Sequence, residues 1–176
     1  MLAEDKIKFI ELSDDKCMAV VIAGEARGEG DDLKIPYDEA RDLVGSIVLN
    51  RADYGQIHHG WGKIYGDSIK SVIDAKNQFS CLNSNDVNYP LLAELINDFD
   101  ASLVKYPWLP KIYADAKGLL DGSIPRMCKG IYYETTVSAA SPYSLFAQYK
   151  AKGIALEVEV KIGRHQVYTL ESSTKI

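Results

Sequence analysis

VIAGEARGEG, residues 21–30, sets two glutamates four positions apart, with Arg27 between them and glycines at 24, 28 and 30. On an α-helix that spacing stacks Glu25 and Glu29 on one face. At about 100° per residue, Val21, Ile22, Glu25 and Glu29 all fall within roughly 60° of Met18, and Arg27 points to the opposite side. The two carboxylates therefore continue an apolar stripe, where a charge is costly unless it is paired or protonated. Asp14 or Asp15 is placed to cap this helix, and Gly28 or Gly30 to end it.

The stretch DEARDLVGSIVLNRAD, residues 38–53, repeats the pattern. Ala40, Leu43, Val44, Ile47 and Val48 lie in helical register, and the line continues to Arg51. Two acids and one base thus extend inward-facing stripes on two helices that can be neighbours. Periodicity leaves two readings open. The charges emerge at helix ends as a structural ion pair, or a carboxyl sits in a partly apolar cleft suited to general-acid work.

The glycines at 55, 60, 62 and 66, with His58, His59 and Trp61 among them, predict an irregular surface loop over 54–67. Ser68 caps a short helix in SIKSVIDA, and QFSCLNSNDVNYP predicts a structured polar loop. Helices follow over 90–105 and 109–121, interrupted by KYPWLP and closed by Gly122. Then the texture changes. IYYET reads as a strand, ALEVEVKI alternates as a half-buried strand does, and Gly163 turns the chain back into HQVYTL. The expectation is an α+β fold, helical in its first two thirds and β in its last, with a cleft between the parts.

A chain of 176 residues suits a single domain spanning 1–176. Its net charge of −5 argues against a general nucleic-acid surface. Cys17, Cys81 and Cys128 are widely spaced with no CxxC pair, which predicts buried, reduced thiols and synthesis in the cytoplasm. The opening MLAEDKIKFIELSDD carries acids where a signal peptide needs bases, and no apolar run is long enough to predict a membrane span. His58 and His59 are adjacent and HExxH is absent, so neither metal nor cofactor is expected.

Five words, AGEARGEG, VGSIVLNRA, NQFSCLN, IYYE and KIGRHQVY, occur in that order between Ala23 and Tyr168. Together they resemble the SleB-type cell wall hydrolases, the spore cortex-lytic family, whose members carry an EARGE box, an apolar helix ending in NR, a QFS loop, a paired-tyrosine strand and a terminal histidine strand. The resemblance implies a lysozyme-like fold related to lytic transglycosylases, with peptidoglycan glycan strands as substrate. It places the general acid at Glu25, the QFS motif on Gln78, Phe79 and Ser80, the tyrosine pair on Tyr132 and Tyr133, and the final histidine on His165. GDDLKIPY lengthens the usual spacing before the NR box, and SPYSLFAQ only loosely echoes the family's proline-tryptophan element. A chain without a recognisable export signal or separate wall-binding domain fits a phage endolysin or virion-associated lysin that reaches the wall after release.

Within that reading, Glu29 supports the site by pairing with Arg51. One tyrosine of the pair faces the cleft, because strand neighbours alternate. His165 is expected to hold a loop by hydrogen bonds. Phe79 and Trp61 are either core or sugar platforms, and Asp86 either orders a turn or supplies a second acid. A lone acid favours attack by the sugar's own 6-hydroxyl and a 1,6-anhydro product. The rivals are a catalytically silent glycan-binding or virion module and a cell-wall amidase or peptidase, the latter disfavoured by the histidine spacing.

Overall fold

A computed structural model of the protein describes residues 11–27, 37–75, 78–142 and 144–170. In chain order its helices are α1 (Asp14–Ala26), α2 (Tyr37–Ile57), α3 (His59–Tyr65), α4 (Ile69–Asp74), α5 (Tyr89–Asn97), α6 (Phe99–Lys105), α7 (Leu109–Asp121), α8 (Thr136–Ala139) and α9 (Leu145–Ala151). The strands are β1 (Tyr132–Thr135), β2 (Leu156–Ile162) and β3 (His165–Leu170), and a 3-10 turn spans Ser80–Leu82.

Helix α1 is the axis of the helical part. Each residue from Cys17 to Ala23 has 0% exposure. The run CMAVVIA offers no strongly polar side chain to water, and a helix apolar on every side has to be enclosed on every side. Helices α2, α4, α5 and α7 and the 3-10 turn supply the enclosure. The predicted single stripe is thus replaced by burial all round. Ser13, not Asp14 or Asp15, occupies the N-cap position, and the two acids lie in the first turn, where the helix dipole favours negative charge.

The loop predicted over 54–67 is instead helical, formed by the end of α2 and by α3. Its glycines permit close approach. A Cβ on Gly55 would lie 2.1 Å from the Gly66 carbonyl oxygen, and one on Gly62 would lie 2.6 Å from that of Gly55. Residues that look like helix breakers therefore act as contact points. The helix predicted over 90–105 splits at Asp98, whose Oδ1 accepts from the Ala101 amide at 3.0 Å and so caps α6. Ser68 caps α4 as its sequence suggests, in a reciprocal box with Ser71. Gly122 closes α7 in the left-handed conformation, with φ at 79°.

The sheet is antiparallel in the order β1-β3-β2. Tyr133 lies opposite Val167, so Tyr133, His165 and Val167 share one face. That face forms a cluster with Leu43 and Ile47 of α2 and with Cys128. On the opposite face Tyr132 meets Tyr149 of α9, with ring centroids 4.8 Å apart. The last third is therefore not purely β, since α8 and α9 follow β1. The α+β class stands, with helices on both faces of a small sheet. Between Val158 and Val160 the register of β2 shifts, and the intervening Glu159 accepts from the amides of Lys129 at 2.8 Å and Gly130 at 2.7 Å. Among the described residues, no helix is long and apolar enough to cross a membrane.

Candidate active site

Glu25 sits in the last turn of α1, where the enclosed helix reaches the sheet. Its Oε2 accepts a hydrogen bond from the Tyr133 hydroxyl at 3.1 Å. The same phenol oxygen lies 2.6 Å from Nδ1 of His165. Burial, reinforced by Glu25, holds the Tyr133 phenol well above its usual range, with Arg51 opposing. Tyr133 therefore keeps its single proton. When it gives that proton to the bond with Glu25, His165 must be the donor at Nδ1.

The Cys81 thiol also hydrogen-bonds to Glu25. Burial, with Glu25 adding to it, holds this thiol far above the ordinary range, so it stays protonated. The fit is tight enough to dictate the preceding residue. A Cβ on Gly24 would lie 2.6 Å from the Cys81 sulfur.

Residues 43–52 of α2 are all buried, which forces the polar pair Asn50 and Arg51 to find partners inside the protein. Asn50 donates through Nδ2 to the carbonyls of Cys128 and Gly130, each at 3.0 Å, and its Oδ1 accepts from Arg126 at 3.0 Å. Arg51 donates through Nε to the Ile131 carbonyl at 2.8 Å, with its guanidinium 5.5 Å from the Phe79 ring centroid. The pair thus fixes the segment that leads into β1 and so positions Tyr133. Burial lowers the Arg51 pKa to about 10, against the opposing influence of Tyr133 and Glu25, which leaves it a cation at neutral pH.

The structure brings Glu25, Tyr133 and His165 together, with Arg51 near enough to feel the first two. Glu29 lies outside the described residues, and so does its proposed pairing with Arg51. His165 is 1% exposed and begins a strand, and its Nδ1 meets the Tyr133 hydroxyl. Phe79 is 4% exposed and belongs to the main core. Ser80 is exposed at the start of the 3-10 turn. Asp86 accepts from the Asn88 amide at 2.8 Å, the turn-ordering role. Asn88 in turn contacts the end of α1, donating to the Gly24 carbonyl at 3.3 Å and accepting from Arg27 at 3.0 Å.

A cavity of about 120 Å³ adjoins this group. Arg51, Gln78, Trp61, Tyr65 and Tyr149 line it, together with both Tyr132 and Tyr133, where strand alternation predicts only one. Tyr65 and Tyr149 carry no motif in the sequence; Tyr65 comes into the cavity because α3 is a helix.

Glu134 is a second buried carboxylate, also without a signal beyond its place in IYYE. It accepts from the Tyr168 hydroxyl at 2.7 Å and the Leu145 amide at 2.9 Å, on the sheet face away from Glu25. It anchors α9 and is not an acid opposing Glu25. Among the described residues, no group of three histidine, cysteine, aspartate or glutamate side chains is arranged to hold a metal ion. What the arrangement can do is orient the Glu25 carboxyl through the hydroxyl of Tyr133, a residue that also lines the aromatic hollow. No known protein family, curated protein sequence or solved structure matches the chain.

Proposed function

We propose that the protein cleaves the glycan strands of peptidoglycan with Glu25 as the general acid, on a lysozyme-like arrangement of helical and sheet lobes. The observation that carries this reading is the chain Glu25–Tyr133–His165 beside an aromatic-lined cavity. The ordered EARGE, NR, QFS, YY and histidine words support it from the sequence side.

In this mechanism the Glu25 carboxyl gives its proton to the departing glycosidic oxygen as the bond to C1 breaks. The resulting carboxylate takes the proton of the muramic 6-hydroxyl, whose oxygen bonds to C1 and closes a 1,6-anhydro ring. Proton and electron balance is complete with one carboxyl. Tyr133 orients Glu25 through both states, since its hydroxyl can donate to the carboxylate or accept from the acid.

Glu25→Gln keeps the shape and removes the transferable proton. On purified sacculi it is expected to lower turnover by about 10² to 10⁴ while leaving the fold intact. A folded Gln variant with near-normal activity overturns the assignment. Mass spectrometry of the fragments reads the product, because an anhydro end is lighter by one water and resists borohydride reduction.

A further inference from the structure

Asn88 stands at the N-cap position of α5, where an asparagine side chain ordinarily accepts from its own helix. Here it makes no such bond. Its backbone is fixed by other contacts: its amide donates to Asp86 Oδ1 at 2.8 Å, and its carbonyl accepts from the Leu92 amide at 3.0 Å. The side chain reaches instead across 64 positions to the last turn of α1, where Nδ2 donates to the Gly24 carbonyl at 3.3 Å. A helix leaves its last carbonyls without an intrahelical partner, and Gly24 carries one of them. Through Oδ1 the same side chain accepts from Arg27 Nη2 at 3.0 Å. Glu25 lies between these two points of attachment. Gly24 is in addition packed against Cys81, whose sulfur a Cβ there would meet at 2.6 Å.

We propose that Asn88 is a positioning residue for Glu25, holding the last turn of α1 at Gly24 and Arg27 and so setting the carboxyl against the Tyr133 hydroxyl. The role rests on the reading of Glu25 as the general acid. A general acid works only within hydrogen-bond reach of the atom it protonates, so freedom in the turn that carries it lowers the rate. Tyr133 orients the carboxyl from the sheet, and Asn88 holds its backbone from the helical part. A side-chain amide suits both attachments, because it donates and accepts at once. Aspartate would keep the bond from Arg27 but set a second acceptor against the Gly24 carbonyl.

Turnover on sacculi and amide hydrogen exchange are measured together in wild type, Asn88→Ala and Asn88→Asp. Asn88 is half-buried and outside the core clusters, so both variants should fold. Each is expected to lower kcat by about tenfold to a hundredfold with KM little changed. Each should also speed exchange in the last turn of α1 relative to α7. In a Glu25→Gln background, Asn88→Ala should leave the residual turnover nearly unchanged, because the group it positions is gone. An equal fractional loss in both backgrounds assigns the effect to general stability and overturns the proposal. An Asn88→Asp protein with wild-type kcat overturns it too, as does exchange in the α1 turn that neither variant alters. Wild-type protein that leaves sacculi uncut, with exchange still released by Asn88→Ala, overturns the catalytic reading and keeps the hold on α1. Cut sacculi, with kcat and exchange both unmoved by the variants, do the reverse.

Discussion

The rings of Tyr133 and His165 stack with centroids 5.6 Å apart and planes 19° from parallel, while the phenol oxygen of one lies 2.6 Å from Nδ1 of the other. Strand pairing makes this possible, because His165 lies two positions from Val167, the residue opposite Tyr133. The histidine thus reaches Glu25 through the tyrosine hydroxyl. Tyr133→Phe keeps the ring and removes both hydrogen bonds. It is expected to lower kcat about fivefold with KM nearly unchanged, the signature of a lost orienting bond worth about 1 kcal/mol. His165→Phe should give a similar loss, and the double variant little more. Strictly additive losses in steady-state kinetics would show that the two side chains act separately.

Gly24 and Cys81 test the packing behind Glu25. Gly24→Ala drives a methyl to 2.6 Å from the Cys81 sulfur and 2.8 Å from the Leu92 side chain. Overpacking of this kind costs about 1–3 kcal/mol, so the denaturation midpoint should fall. Cys81→Ala makes room, and the double variant should recover part of the loss. A Gly24→Ala protein as stable as wild type would mean that the neighbours yield without strain.

Asp42 makes stability depend on pH. Its Oδ1 is buried without a hydrogen-bond partner among the described residues. Burial raises its pKa to about 6, with Asp115 and Asp38 adding to the effect and Arg41 and Lys111 opposing. A carboxyl whose folded pKa exceeds its unfolded value stabilises the fold while protonated, and that contribution is lost as pH rises through the folded value. Thermal melts should therefore show this contribution fading between about pH 4 and pH 6. Asp42→Asn should remove that slope and raise stability at pH 7 by on the order of 1 kcal/mol, allowing for partial exposure. An unchanged slope in the Asn variant excludes Asp42 as its source.

The start of α2 is tied to α7 by Arg41 and Asp115, 2.6 Å apart with side chains 4% and 2% exposed. Lys111 reaches the other Asp115 oxygen at 2.7 Å. Asp115→Ala removes the buried partner of the guanidinium and should cost on the order of 3 kcal/mol in urea denaturation. Arg41→Met combined with Asp115→Leu should restore much of that stability, because a packed apolar pair replaces a desolvated one. Equal loss in the single and double variants would show that the ion pair itself stabilises the fold.

The strands were legible because ALEVEVKI and HQVYTL alternate and little else competes with a two-residue period. Ser68 was legible for a similar reason, since a cap acts within four residues. The glycines at 55 and 62 misled because a missing side chain serves equally as a hinge or as a contact point. Only the tertiary crossing of α2 and α3 decides between them. Asp98 read as an ordinary helical residue, whereas its backbone turns out of the helix there. At the site, Glu25 could be placed at the end of the apolar run from its spacing alone. Its partner Tyr133 stands 108 positions along the chain, a distance that periodicity does not cross. The ordered words supplied both residues, but not the hydrogen bonds between them.

The three thiols give the protein an internal clock. Cys17, Cys81 and Cys128 are 0%, 3% and 5% exposed, and burial pushes Cys17 and Cys128 up to about 12 and Cys81 higher still. Alkylating reagents need an accessible thiolate, so each position reacts only when its surroundings open. Cys17 and Cys81 lie in the helical core, and Cys128 lies in the separate cluster beneath the sheet. Their relative labelling rates therefore time the detachment of the sheet from α2 against the unwrapping of α1, in the unmodified native chain.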